Sequence, residues 1–228
     1  MKFSKYNTLK QRGFTLIEIA IVLVIIGLLL GGVLKGQEMI ENARIKSVVG
    51  DMNGISAAYN SYFDRFRAIP GDEAATTMNV RGWTGTAGAT AVNGRLDITQ
   101  AQTFTNGGEQ AAFWRALRAS GMTGGDPTAP ANATGLPRAG TGGLIGVTVN
   151  AYGLPGNAVC VSGLSTKQAS GVDVVVDGAL PVSNIGNNVG NARGDNGTAP
   201  LAPIAAAPAG TIYNETTITN PWTICRTL

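Results

Sequence analysis

The sequence predicts an α+β fold: one long N-terminal helix, membrane-spanning in its first half and amphipathic in its second, packed on a small antiparallel sheet. Three observations predict it. Between Phe14 and Leu34 the only formally charged side chain is Glu18. Those 21 residues, at about 1.5 Å each, give roughly 30 Å, the thickness of a bilayer's hydrocarbon core. Beyond them Met39, Ile40, Ala43, Ile45, Val48, Val49, Met52, Ile55, Tyr59, Tyr62, Phe63 and Phe66 recur at steps of three and four, the period of a helix with one apolar face. From Leu144 onward the pattern turns strand-like, with short β-branched runs broken by glycine, proline and asparagine.

Taken in order, residues 14–67 read as one helix, stopped by Pro70-Gly71-Asp72. A helix of that length does not fold by packing on itself. Lipid or copies of itself must cover residues 14–34, and a globular domain the remainder. Residues 71–106 form a glycine- and threonine-rich connection of little periodicity, and a second helix is expected over Glu109–Ser120 with Phe113, Trp114 and Leu117 on one face and Gly121 as its stop. Strands are expected at Leu144–Val149, Ala158–Val161, Val172–Val176, Thr211–Tyr213 and Thr217–Cys225. Segment 181–210 reads as a loop, and 68–228 as the globular head.

The N-terminal junction carries the most specific signal. Lys2, Lys5, Lys10 and Arg12 precede the apolar run without an acid among them, which sets the N-terminus on the cytoplasmic side. Glu18 lies inside the run, where an ionisable group costs roughly 2.5–3.5 kcal/mol on insertion scales and so marks a functional position. Gly13-Phe14-Thr15-Leu16-Ile17-Glu18 resembles the processing signature of type IV pilins and type II secretion pseudopilins. The resemblance is close over residues 8–50. It implies a leader of residues 1–13 cleaved after Gly13 by a prepilin peptidase, N-methylation of the new terminus Phe14, and Glu18 as the acid required for assembly. A secretory signal peptide would need a small-residue cleavage site after the apolar core, whereas Lys35-Gly36-Gln37-Glu38 follows here. A plain membrane anchor explains the rest of the segment but neither Glu18 nor the Gly13-Phe14 junction. Major pilins often carry proline at the position occupied here by Lys35, a departure that leans toward a minor or specialised subunit.

Composition narrows the function further. The formal charge of +3 belongs to the leader, since removing residues 1–13 with their four cations leaves 13 basic against 14 acidic side chains. No nucleic-acid partner is expected of such a balance. The chain has no histidine, which excludes Ser-His and Cys-His nucleophilic arrangements, so no enzyme activity and no cofactor are expected. Gly140-Thr141-Gly142-Gly143-Leu144-Ile145-Gly146 lacks both the dinucleotide spacing and the Lys-Ser/Thr of a phosphate loop. Cys160 and Cys225 would lie in an oxidising compartment, where an even pair reads as one disulfide; two buried thiols are the alternative. Two cysteines make no zinc set, but pseudopilins hold calcium through loop oxygens, which singles out Asp173, Asp177 and Asp195 as the ligands such a site would use here. Asp72 and Glu73 read as acids solvating a turn. Asn132-Ala133-Thr134 and Asn214-Glu215-Thr216 fit the glycosylation pattern.

The expected function is therefore structural: a subunit held in the bacterial inner membrane by one span, then moved into a pilus at the cell surface or a periplasmic pseudopilus. Its partners would be the prepilin peptidase/methyltransferase, an inner-membrane assembly platform, membrane lipid, and copies of itself and other pilins. A pseudopilin, a minor pilin, and an anchored adhesin that never polymerises are the rival readings.

Overall fold

The computed structural model describes residues 13–83, 88–89, 91–178, 190–208, 213 and 218–228. Helix α1 spans Leu16–Phe66, 51 residues, with Lys35 inside it. The chain divides into two compact units inside this helix, Met1–Glu41 and Asn42–Leu228. In the first unit every described residue from Gly13 to Leu34 is exposed. Its helix is long and apolar enough to cross a membrane.

In the second unit α1 is amphipathic as the periodicity requires. Ile45, Val48, Val49, Met52, Ile55, Ala58 and Tyr62 are buried in the core. Four residues of the predicted stripe fall outside it: Met39, Ile40, Ala43 and Phe63 are exposed. The helix ends at Phe66 because Arg67 takes the left-handed conformation, φ 53°, and its N–H bonds the Phe63 carbonyl at 2.8 Å. Pro70 and Gly71 then turn the chain.

The 71–106 connection holds more order than its composition suggests, with a short helix α2 at Ala75–Val80 and a 3-10 turn at Gln100–Gln102. Helix α3 spans Gly108–Ala119 and buries Phe113, Trp114 and Leu117 completely. Gly121, φ 74°, ends it in a Schellman arrangement: the N–H groups of Gly121 and Met122 bond the carbonyls of Arg118 and Leu117, each at 3.0 Å.

Four antiparallel strands follow the order β1-β2-β4-β3: β1 Ile145–Val149, β2 Asn157–Leu164, β3 Ala192–Asn196 and β4 Trp222–Thr227. Gly163, φ 74°, sits where the β2–β4 register shifts between Val161 and Leu164. The expected strand at Val172–Val176 is instead part of helix α4, Thr166–Asp177. Its β-branched run reads as a strand, but Ser165 and Gln168 form a reciprocal capping box, Gln168 N–H to Ser165 Oγ at 3.2 Å and Ser165 N–H to Gln168 Oε1 at 3.0 Å. Helical spacing then buries Ala169, Val172 and Asp173 while Val174 and Val175 face outward. A β-carbon at Gly171 would collide with Ile45 of α1, so a glycine lets the two helices meet. Conversely, β3 lies inside the segment expected to be loop. Tyr213 belongs to no strand, β4 begins at Trp222 rather than 217, and residues 181–189, 209–212 and 214–217 lie outside the described residues.

Candidate functional site

The start of α1 carries the residues expected to direct cleavage and assembly, Gly13, Phe14 and Glu18. Gly13 and Phe14 precede the helix, and Phe14 is 84% exposed. Thr15 and Glu18 close the first turn on each other. The Thr15 N–H and hydroxyl both donate to Glu18 Oε2 at 2.8 Å, and the Glu18 N–H donates to Thr15 Oγ1 at 3.3 Å. This is the reciprocal capping pattern of a threonine followed three residues later by glutamate, and it satisfies helix-end donors that apolar surroundings would penalise. The T-x-x-E spacing before an apolar run is the sequence signal for this cap. Leader residues 1–12 lie outside the described residues.

In the head, Cys160 and Cys225 are joined, facing each other across the β2–β4 register at a sequence separation of 65. Both are fully buried. The bond ties β2 to the C-terminal strand and brackets the segment containing β3.

The three acids proposed as a calcium set are not brought together. Among the described residues no group of three acidic, cysteine or histidine side chains is placed to hold a metal ion. Each is engaged elsewhere. Asp173, 1% exposed on α4, accepts the Tyr213 hydroxyl at 2.7 Å. Asp177, at the helix end, accepts the N–H groups of Asn191 and Ala192 at 2.9 and 2.7 Å, and leads the chain into β3. Asp195 accepts its neighbour Asn196's N–H at 2.9 Å. Asn132 Oδ1 accepts the Thr134 N–H and hydroxyl in a local turn, at 3.1 and 2.8 Å; the Asn214-Glu215-Thr216 pattern lies outside the described residues.

Asp72 and Glu73 correct the turn-solvating expectation, since each is only 5% exposed. Asp72 accepts the N–H groups of Asn93 and Gly94, at 2.9 and 2.6 Å, and holds the following loop. Glu73 takes Arg81 with both oxygens, at 2.7 and 2.8 Å, and also accepts the Tyr62 hydroxyl. The Arg81 guanidinium lies 4.5 Å from the Phe66 ring centre and 5.3 Å from that of Trp83. Burial pushes the Tyr62 hydroxyl's pKa up, and the neighbouring Glu73 adds to the shift. Glu73 likewise raises that of Arg81 through its hydrogen bond. The group pins the end of α1 to α2. No spacing rule would have linked Tyr62, Glu73 and Arg81.

Residues 8–34 match the prokaryotic N-terminal methylation motif, the signature of type IV pilin and pseudopilin prepilins. The match thus spans the basic leader, Gly13-Phe14, Glu18 and the apolar run. No curated protein matches the chain. The motif points to a structural subunit and implies processing by prepilin peptidase and assembly with other pilins. The apolar helix that carries it suggests membrane insertion.

Proposed function

We propose that this chain is the precursor of a structural subunit of a type IV pilus or pilus-like filament, without enzymatic activity. The single observation that supports this most is the methylation motif over residues 8–34, with Gly13, Phe14 and Glu18 at the positions that processing and assembly need. Prepilin peptidase cuts after Gly13 at the cytoplasmic face of the inner membrane, and Phe14 becomes an N-methylated amine. Residues 14–34 wait in lipid as the membrane span. On extraction into the filament these segments bundle, and lipid-facing side chains exchange hydrocarbon for the same side chains of neighbours. Glu18 then meets the Phe14 amine of an adjacent subunit. Both Thr15 bonds go to Oε2 of Glu18, so Oε1 is the oxygen offered to that amine. A buried ion pair of this kind sets register more than it adds net stability.

Lys35 supports a second reading, that of a minor pilin or secretion pseudopilin rather than a shaft subunit. Lys35 pairs with Glu38 at 2.9 Å on an exposed face, and nothing there interrupts the helix.

Two variants in the native host test the proposal. Gly13→Asp should keep the leader attached, read by intact mass. Glu18→Ala should be cleaved normally yet drop filament incorporation at least tenfold, read by immunoblot of sheared fibres. Mature-sized Gly13→Asp protein, or wild-type fibre yield from Glu18→Ala, would overturn it.

A further inference from the structure

A groove of about 320 Å³ opens on the head between α1, the C-terminal half of α3 and the 122–138 segment. Its α1 side is bare: Gly50 and Gly54 stand one turn apart, and a β-carbon on either would meet nothing within 4 Å. Two glycines weaken a helix interior by up to about 1 kcal/mol each relative to alanine. No close packing in the head requires them, so the space they leave is the feature to account for.

The polar groups lining that space are overwhelmingly donors. Arg118 is 7% exposed; its guanidinium donates to backbone carbonyls, those of Asp126 and Ala129 at 3.4 Å and that of Gly135, and lies 5.9 Å from the centre of the Trp114 ring. Asp126, whose charge acts on Arg118, turns its Oδ1 to the N–H and hydroxyl of Thr128, both at 2.8 Å. Arg138 is likewise held by carbonyls alone, those of Gly142 at 2.8 Å and Ala133 at 3.0 Å. Carbonyls fix a guanidinium in place without supplying the counter-charge of a directly bonded carboxylate. The Trp114 indole N–H, fully buried, and the Thr123 hydroxyl have no hydrogen-bond partner at all. Asp51 is the single acid in the lining, and its carboxylate accepts the Gly140 N–H at 3.0 Å. Burial lowers the pKa of Arg118, the charge of Asp126 opposes that shift, and the like charge of Arg115 adds to it.

We propose that this groove binds a small ligand bearing a carboxylate on a compact ring or short apolar body. The carboxylate would accept from Arg118 and Arg138, for which a planar acid is the matching partner. The body would lie over Gly50 and Gly54 against Ile55 and Ile145. The volume limits it to about one ring, the lower end of small-molecule pockets. The inference does not depend on filament assembly.

The test uses the full chain in detergent micelles, titrated by calorimetry and by the indole N–H resonances. Benzoate and glucuronate serve as probes, each against an uncharged counterpart, benzyl alcohol or methyl glucoside. At least one acid should bind saturably at one site, tenfold or more tighter than its counterpart, and shift one indole signal. Gly54→Leu should abolish the binding by filling the groove, and Arg138→Gln should weaken it at least fivefold. Arg138 is exposed, so that variant decides the matter should Gly54→Leu fail to fold. Absence of saturable binding by both acids, equal affinity for the neutral probes, or full affinity in Arg138→Gln or in a folded Gly54→Leu would overturn the proposal.

Discussion

Asp173 offers a pH-dependent test of the head's packing. Its carboxyl is buried on α4, its Oδ2 accepts the Tyr213 hydroxyl, and its Oδ1 has no partner. Tyr213 in turn packs on Trp222 of β4 at 4.8 Å between ring centres. Burial raises the carboxyl from 3.8 to about 6, the Tyr213 bond opposes that rise, and the like charge of Asp177 adds to it. The sign follows from linkage. Between those two values the native state keeps a proton that the unfolded chain has lost. The stability it contributes is therefore complete below about pH 4 and falls as pH rises through 6. A displacement of roughly 2 units is at most about 3 kcal/mol, and residual solvation reduces it to roughly 1–3 kcal/mol. Asp173→Asn removes the titration while keeping shape and an acceptor for Tyr213. Its own amide costs something against the unpaired Oδ1 position, but equally at every pH. Thermal unfolding of both proteins, followed by near-UV circular dichroism at pH 4.0 and 7.5, isolates the effect. The difference in Tm, variant minus wild type, should be roughly 2–12 °C larger at pH 7.5, at about 2–4 °C per kcal/mol for a head of this size. A difference that stays constant within a degree between the two pH values would show that Asp173 titrates as in the unfolded chain, and the burial argument would fail.

Glu73→Gln should cost roughly 2–4 kcal/mol, because it leaves Arg81 and Tyr62 in place without their charge partner; a loss in Tm under 2 °C at neutral pH would show that the group is dispensable. Cys160→Ser with Cys225→Ser should lower stability by roughly 2–4 kcal/mol, given the long loop the bond closes. The matching check is thiol titration of the unreduced, denatured wild type, where two reactive thiols instead of none would contradict the bond.

Much of this architecture was legible because it rests on periodicity. The apolar run at 14–34, the stripe from Ile45 to Tyr62 and the face of α3 each follow from side-chain spacing alone, and the structure has them as helices. Where the reading failed, local chemistry outweighed the pattern. Val172–Val176 is β-branched, yet a Ser165–Gln168 box about two turns upstream set a helix running through it. Residues 192–196 carry too few apolar side chains to look like a strand, and form one by pairing with β4, whose hydrogen bonds do not depend on side-chain type. Met39 and Ile40 keep the helical period yet are exposed, so the period marked the face without marking its end. At the candidate assembly site the family signature was readable, but the capping role of Thr15 was overlooked beside the charge of Glu18. The Glu73 cluster needed the tertiary fold, because its members come together only after Pro70 and Gly71 reverse the chain.

The double demand on Glu18 sets the energetic order of the proposed assembly. Before any partner arrives, its bonds to Thr15 supply what an N-terminal cap supplies, about 1 kcal/mol. That is enough to fix where α1 begins, and it orients the carboxylate. An amine brought beside it in hydrocarbon faces a different scale, since an isolated buried charge of either sign costs several kcal/mol. The pairing is therefore driven less by attraction than by the absence of any tolerable alternative for the two charges. A subunit placed one residue out of register leaves both unsatisfied, while the cap survives in every register and so discriminates none. On this reasoning the threonine box prepares the helix end, and the counter-charge alone selects the position of the neighbour.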